Sequence, residues 1–255
     1  MPEGLYIYCI IGTGEARNFG AFGVGGRGDP VTTIAYRDLG AVVSSVSMDR
    51  YVVGQETMLC HERVIEKVMA EHTVLPVRFY TVAPNAEEVR SLLRSRYTEL
   101  KALLRELDNK VELGLKALWK EMEQVLRDAL GNNASSELRW EASLPGGEAA
   151  RRARVALEGK KTETAEQVLQ LLRPLAVDLR LNRTYGDDMI MNAAFLVDRT
   201  REREFDARVE RLSAEYSGSI QFKYVGPAPP YSFVNIVIKD QLEPGRTPKR
   251  GGSEV

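Results

Sequence analysis

The 255-residue sequence has little cysteine, little histidine and no excess of either charge. Two cysteines, Cys9 and Cys60, are too few for a disulfide framework or a cysteine-rich metal site. Lysine and arginine number 35 and aspartate and glutamate 36, which argues against a general nucleic-acid binder. No apolar run approaches the ~18 residues of a membrane span, and Glu3 stands where a signal peptide carries lysine or arginine. These absences predict a soluble, cytoplasmic protein.

Motifs for catalysis and for nucleotide or metal binding are also missing. Gly12-Thr13-Gly14 begins like a dinucleotide fingerprint, but Arg17 stands where the third glycine belongs. His61-Glu62 begins like a zinc-protease motif, yet Ile65 replaces the second histidine. No Gly-x-Ser-x-Gly elbow is present for a serine nucleophile. We therefore predict that the protein is not an enzyme and that it uses no cofactor, no metal and no small-molecule substrate.

Hydrophobic patterning in residues 1–108 predicts an N-terminal domain of mixed α and β structure. Its strands are aromatic and β-branched, and its helices carry apolar residues at helical spacing. The glycine-rich stretch from Gly12 to Gly28 predicts a long, mobile connection. Pro76, inside the short apolar strand of residues 74–79, favours an edge position or a bulge because proline has no N–H for the ladder. Asn85 is the predicted N-cap of the second helix.

From Val111 the pattern runs strand, helix, long helix, strand, helix, strand. This order predicts a ferredoxin-like unit over residues 109–226, with one strand either deleted or hidden in residues 137–143. The predicted fold class is therefore α+β with two domains, the second a modified ferredoxin-like fold with a long helical insertion. Residues 231–238 are apolar enough to predict a strand that returns to the N-terminal domain. The proline, glycine and charge of residues 239–255 predict a disordered tail.

Six sequence blocks, taken in order, are more distinctive than any one of them: residues 5–8, 61–66, 74–79, 111–116, 192–197 and 226–233. Together they resemble the gas vesicle protein F/L family over nearly the whole chain. There are two departures, since Tyr80 and Ala228 stand where the family often has a small residue and a tryptophan. The resemblance implies two α+β domains and a non-enzymatic role as an assembly factor or minor component of gas vesicles.

The resemblance also implies partners and a location. The main partner would be the small hydrophobic shell-forming protein, with other minor gas vesicle proteins as further candidates, and neither nucleic acid nor a membrane is expected. The location would be the gas vesicle, and the cytoplasm before assembly. A shell subunit exposes apolar β-surface and strand edges, so its binder needs an apolar groove or a free edge. The residues predicted to contact the partner are Arg78, Phe79, Pro229, Pro230, Tyr231 and Phe233.

Other roles stay open for these residues and for the chain. Phe79, Tyr231 and Phe233 suit a core, and Arg78 suits a structural role in which backbone carbonyls or a carboxylate satisfy its charge. An enzyme on a ferredoxin-like scaffold would show a polar pocket with several perturbed titratable groups. An RNA-binding module would show exposed aromatics on its strands and a basic face, whereas the strand of residues 189–197 offers one aromatic, Phe195.

Overall fold

A computed structural model describes residues 3–47, 54–130 and 147–236. The chain divides into two compact units, the first holding residues 3–108 with 234–236 and the second Asn109–Phe233. Both units mix helices and strands, which confirms the α+β class. The predicted tail of residues 239–255, the segment 137–143 and the end of the predicted strand 231–238 lie outside the described residues.

The first unit is built on one sheet with three helices. Its strands are β1 (Glu3–Ile11), β2 (Asn18–Ala21), β3 (Pro30–Tyr36), β4 (Leu39–Ser47), β5 (Val74–Pro76) and β6 (Val82–Ala83), and its helices are α1 (Gln55–Met69), α2 (Ala86–Ser95) and α3 (Tyr97–Glu106). The strand order is β2-β3-β4-β1-β5, with β6 beside β1. Helix α1 packs on β1 and β5, whereas α2 and α3 contact the strands from the other side.

A bulge in the central strand β1 decides which side chains face α1. Opposite β4, the register shifts between Ile7 and Cys9, so that Tyr8 is the extra residue. Simple alternation would send Tyr8 and Cys9 to opposite faces. With the bulge, Tyr6, Tyr8, Cys9 and Ile11 all join the core cluster that contains the buried side chains of α1.

The glycine-rich stretch is more ordered than its composition predicts. It contains β2, which pairs with β3, and its later part is tied to the core. The backbone N–H of Val24 donates to the Tyr8 hydroxyl at 2.9 Å, and the Cys60 thiol donates to the Phe22 carbonyl at 3.2 Å. The prediction of a long mobile connection is therefore wrong, because side chains of β1 and α1 supply partners that composition does not reveal.

Helix α2 begins at the predicted residue. Asn85 has an extended backbone, and its side-chain oxygen accepts the N–H of Glu88 at 3.0 Å, as an N-cap does. The apolar spacing continues to Leu107, but the backbone at Arg96 is not helical (φ −111°, ψ 17°), so α2 ends and α3 begins there. One predicted helix is therefore two.

The second unit has the complete ferredoxin-like order of elements. These are β7 (Lys110–Trp119), α4 (Met122–Leu130), α5 (Glu148–Leu172), β8 (Asp178–Leu181), β9 (Met189–Asp198), α6 (Glu202–Glu215) and β10 (Ile220–Ala228). The sheet order is β10-β7-β9-β8, and all its pairs are antiparallel.

The strand that sequence patterning predicted as deleted, or hidden in residues 137–143, is β8. This prediction was wrong because β8 gives almost no signal of its own. It has four residues, two of them charged, and it follows closely on the 3-10 turn Arg173–Leu175 that ends the long helix. It lies at the sheet edge, where short and charged strands are the rule.

Two further strand predictions need correction. Strand β5 lies at the edge as Pro76 indicates, but it ends there and does not extend to residue 79. Residues 231–233 form a turn in the second unit, not the start of a strand, because the N–H groups of Tyr231 and Phe233 donate to the carbonyls of Pro229 and Pro230. Ile236, in the first unit, makes an isolated parallel bridge to Val77.

The core of the second unit lies between its sheet and its helices, with Phe205 at its centre. We expect Phe205→Ala to lower the free energy of unfolding by ~3–5 kcal/mol, because the ring is fully buried and 5.0 Å from that of Phe195. Urea unfolding followed by tryptophan fluorescence reports on this unit, since Trp119 and Trp140 both fall between residues 109 and 233.

Val155→Ala is the matched control, since its side chain is 68% exposed on α5. It should change the free energy of unfolding by less than ~0.5 kcal/mol. Equal losses in the two variants would contradict this assignment of the core.

Candidate partner-binding surfaces

The sheet of the second unit has one face toward the helices and one face away from them. Val111, Leu113 and Phe195 belong to the cluster that holds the buried helix residues. Alternation places Glu112 and Leu196 on the opposite face, where they pair with each other across β7 and β9, and Leu196 also pairs with Asp178 of β8. We call this second face the outer face. The residues that pair across its strands include Glu112, Gly114, Ala194, Leu196 and Arg180.

The segment after β10 crosses this outer face, and we call residues 229–233 the strap. Both the N–H and the hydroxyl of Ser232 donate to the carboxylate of Glu112, each at 2.7 Å. The guanidinium of Arg180, on β8, lies 5.9 Å from the ring centroid of Phe233. The strap therefore reaches from β10 over β7 to β8. Leu196, which lies on the outer face, is only 3% exposed.

Gly226 allows the chain to leave β10 in this direction. Its φ is +138°, a conformation that side-chain-bearing residues rarely adopt. A Cβ atom there would also lie 2.8 Å from Cδ2 of Leu113 and 3.0 Å from the carbonyl oxygen of Glu112. The glycine in this block is thus required by a close approach of two backbones.

The carboxylate that holds the strap is itself partly removed from water. Burial raises the pKa of the Glu112 carboxyl above its ordinary value, and the two hydrogen bonds from Ser232 offset only part of that rise. The ionised form is thus less favourable in the folded protein than in water.

The strap separates buried from exposed side chains. Pro229 and Pro230 are buried, Phe233 is half-buried, and Tyr231 is 40% exposed. Val225, on the neighbouring edge strand β10, is 62% exposed. Of the four strap residues predicted to bind a partner, Tyr231 is therefore the one that presents a large apolar surface to solvent.

Arg78 and Phe79, the other two predicted residues, lie in the first unit directly after β5. Arg78 is exposed, and its guanidinium makes no ion pair with any described carboxylate. The alternative of a structural role for Arg78 assumed a buried charge satisfied by backbone carbonyls or a carboxylate. The exposed side chain does not fit that role. Phe79 is half-buried, with its ring edge-on to His61 at 5.5 Å and to Tyr6 at 6.5 Å.

His61, from the second block, is a core residue. It is 3% exposed, and Nδ1 lies 3.0 Å from the hydroxyl of Tyr6, which also accepts the N–H of Tyr80 at 3.0 Å. Its ring stacks on that of Tyr8, with centroids 5.8 Å apart. Burial lowers the pKa of His61 to about 4, so the ring is neutral at pH 7 and packs as part of the aromatic core.

Two kinds of site do not occur in the described part of the chain. Residues 3–47, 54–130 and 147–236 contain no group of three or more His, Cys, Asp or Glu side chains placed to hold a metal ion. Over the same ranges, no helix combines the length and apolar character needed to cross a membrane.

Glu112 and Arg180 are the residues of this site that sequence patterning missed. The alternation of β7 does place Glu112 on its polar side, but nothing in the sequence links it to Ser232, 120 positions later. Arg180 could not be assigned because β8 itself was not recognised.

Comparison with known proteins identifies the family of the chain. The model of the gas vesicle synthesis protein GvpL/GvpF family matches residues 4–235. The chain belongs to this family. Among its relatives, gas vesicle protein F1 of Halobacterium salinarum is 28% identical over 248 residues, which cover 96% of this chain and 99% of that protein. Gas vesicle protein F of a Streptomyces species is 31% identical over 220 residues, covering 83% and 91%.

Solved structures of the GvpL/GvpF family have the same fold. The crystal structure of GvpF from Microcystis aeruginosa gives a TM-score of 0.78 at 24% identity, and it covers 91% of this chain and 99% of that one. GvpF from Anabaena gives a TM-score of 0.77 at 23% identity, with 92% and 100% covered. The fold is therefore kept at low sequence identity.

Glu112→Gln tests the carboxylate that anchors the strap. Because the folded-state pKa is raised, the folded protein holds more protons than the unfolded chain at pH values above the ordinary 4.5, up to the raised value. The free energy of unfolding should fall as pH rises through this window. Glutamine keeps an acceptor for the Ser232 N–H but does not titrate. The variant should therefore lose the part of the pH dependence of the unfolding free energy that comes from Glu112. Urea unfolding at a series of pH values measures it.

Glu215→Gln, at an exposed position on α6, is the control for removal of one carboxylate. The difference in unfolding free energy between Glu112→Gln and wild type should depend on pH beyond any change that Glu215→Gln produces. A difference for Glu112→Gln that stays constant from pH 4.5 to pH 7 would contradict the raised pKa.

Proposed function

We propose that this protein is a non-enzymatic assembly factor that binds the hydrophobic shell-forming subunit of gas vesicles and prevents its aggregation during nucleation. Membership of the GvpL/GvpF family supports the connection with gas vesicles. The observation that carries the binding role is the exposed apolar surface on and beside edge strand β10, at Val225 and Tyr231. An apolar shell subunit with unpaired β-edges needs this kind of surface, because an edge strand can extend a ladder while apolar side chains cover its neighbour.

The strap suits Tyr231 to a binding role. Buried Pro229 and Pro230 precede the tyrosine, and the Ser232–Glu112 hydrogen bonds follow it, so the backbone on both sides is fixed. A ring held in this way loses little conformational freedom when a partner covers it. Tyrosine also tolerates solvent before binding, because its hydroxyl can remain hydrated.

The second candidate surface is the edge of the first unit around β5. Arg78 is exposed and free of ion pairs among the described residues, so it is available to a partner. Phe79 has ring contacts inside the unit, and we assign it mainly to stability. We place Arg78 at the rim of a contact, where charge contributes orientation more than affinity.

The proposal also covers the partners, the location and the cofactors of the protein, because a protein that binds without catalysing a reaction needs no substrate. The partners are the shell-forming protein and other minor gas vesicle proteins, and the protein works in the cytoplasm before assembly and at the vesicle afterwards. No cofactor, nucleic acid, membrane or small-molecule substrate takes part.

The RNA-binding alternative is less well supported. Recognition on a ferredoxin-like sheet uses aromatic side chains that stack on bases. Phe195, the aromatic of β9, is fully buried on the helix side. The outer face carries no aromatic residue on the four described strands, and the strap covers part of it.

Replacing the exposed apolar side chains tests the masking role. At equal molarity, the wild-type protein should lower the light scattering of the shell subunit and form a complex that survives gel filtration. Val225→Ser and Tyr231→Ser should weaken both effects, because each removes apolar area from the binding surface. Val225→Ser should not change the unfolding midpoint appreciably, since Val225 is 62% exposed. For Tyr231, which is 40% exposed, urea unfolding of the variant separates a loss of binding from a loss of stability.

Val155→Ser is the matched control, because Val155 is as exposed as Val225 but lies on helix α5. It should behave as wild type in both assays. Unchanged aggregation of the shell subunit at every ratio, with no complex on gel filtration, would exclude masking and favour a passive role as a shell component.

A further inference from the structure

The tip of the β3–β4 hairpin carries a cluster of tyrosine and arginine side chains that the masking role does not use. We call Tyr36, Arg37, Arg94 and Tyr97 the cation–tyrosine cluster. The guanidinium of Arg37 lies 5.5 Å from the ring centroid of Tyr36 and 5.2 Å from that of Tyr97. The guanidinium of Arg94, on α2, lies 5.5 Å from the Tyr36 centroid. Both arginines are exposed, and both rings are half-buried.

The carboxylates near this cluster are already engaged. Asp38 accepts from Lys101 Nζ at 2.6 Å and from the Tyr97 hydroxyl at 2.5 Å. The hydrogen bonds from Lys101 and Tyr97 lower the pKa of Asp38 to about 2, so it is ionised at pH 7. Arg94 shares Glu87 with Arg90, at 3.3 Å and 3.5 Å.

Arg37 itself has no such partner, since no described carboxylate forms an ion pair with it. Arg37 therefore presents a positive charge that no described carboxylate neutralises, and Arg94, which shares Glu87 with Arg90, adds a second. A guanidinium beside aromatic rings can still donate its N–H groups to an anion.

The backbone holds Arg37 in place. Its φ is +55°, in the left-handed region that favours glycine. Gly14 packs against it so closely that a Cβ atom at position 14 would collide with the Arg37 carbonyl oxygen. The rings of Tyr36 and Tyr97 meet edge to face at 6.1 Å, which fixes the platform under the guanidinium. The conformation of the hairpin tip is thus set before any ligand arrives.

We propose that the cation–tyrosine cluster binds an acidic segment of a partner polypeptide. A guanidinium group donates paired hydrogen bonds to a carboxylate, and two guanidinium groups around one ring can bind two carboxylates of one segment. Same-face side chains of an extended segment are ~7 Å apart, a spacing that two guanidinium groups within 5.5 Å of one centroid can match. The proposal is independent of the masking role, which uses Val225, Tyr231 and Arg78 and none of the residues of this cluster.

An acidic polypeptide fits this surface better than a nucleic acid. Affinity for a phosphate backbone comes from many lysine and arginine contacts along a groove. Here Asp38 and Glu87 lie among the cations, and the formal charge of the chain is −1. A continuous polyphosphate would meet these carboxylates, whereas an acidic segment can place its carboxylates only at the two arginines.

Fluorescence anisotropy with a short fluorescein-labelled polyglutamate peptide at low ionic strength tests the proposal. The wild-type protein should bind it, and added salt should weaken binding because exposed charges are screened. Arg37→Gly and Arg94→Gln should each weaken binding about fivefold, the loss of one exposed charge pair. Arg37→Gly also relieves the positive φ, so it should fold at least as stably as wild type.

Arg211→Gln, an exposed arginine of α6 in the other unit, is the control for loss of one positive charge and should bind as wild type does. A peptide that binds Arg37→Gly and Arg94→Gln as tightly as wild type, or that does not bind wild type, would overturn the proposal. Tighter binding of a labelled thymidine oligonucleotide of equal charge would overturn it in favour of phosphate recognition.

Discussion

The described helices of the second unit pack on one face of its ferredoxin-like sheet, and this constraint shapes the unit. Strand β9 carries apolar side chains toward both faces, so Ala194 and Leu196 lie on the face opposite to the one on which the described helices pack. The strap crosses this face and is held there by the hydrogen bonds of Ser232 to Glu112. Its attachment requires an acceptor on the outer face, which Glu112 supplies, and an abrupt departure from β10, which Gly226 permits. The glycine and proline block and the acidic residue in β7 are thus parts of one packing solution.

The core of the first unit contains buried tyrosine hydroxyls, which need hydrogen-bond partners inside an apolar environment. Alternation along β1 places Tyr6 and Tyr8 under α1, and the bulge adds Cys9 and Ile11 to the same face. Each tyrosine hydroxyl must find a partner because a buried unsatisfied group is costly. Tyr8 bonds Ser44 and the N–H of Val24, and Tyr6 bonds His61 and the N–H of Tyr80. These bonds tie the sheet, α1, the glycine-rich stretch and the segment after β5 into one network.

Sequence patterning predicted elements whose signal is local and missed those whose cause is distant. The bulk of β1, β9 and the long helix follow from hydrophobic period, and Asn85 was recognisable as a cap because its partner is three residues away. Strand β8 was missed, since a short charged edge strand is stabilised by β9 alone. The turn at residues 231–233 was predicted as a strand because its apolar residues were counted while the Glu112 carboxylate opposite them was unknown.

The same reason limits what sequence could reveal of binding surfaces. Partner contacts were predicted from the sequence for the whole segment that contains Pro229, Pro230, Tyr231 and Phe233. Only the structure separates the buried prolines from the exposed tyrosine. The cation–tyrosine cluster draws its residues from a hairpin and from two helices about 60 positions later. No periodicity connects them.

The bridge between Val77 and Ile236 affects how the protein is made. The first unit contains the second within its sequence, since its own last described residues come after Phe233. Translation therefore delivers nearly the whole chain before the β5 edge can receive Ile236, and the second unit has left the ribosome by then. Until that point the nascent protein carries an open strand edge, which can pair with strands of other chains.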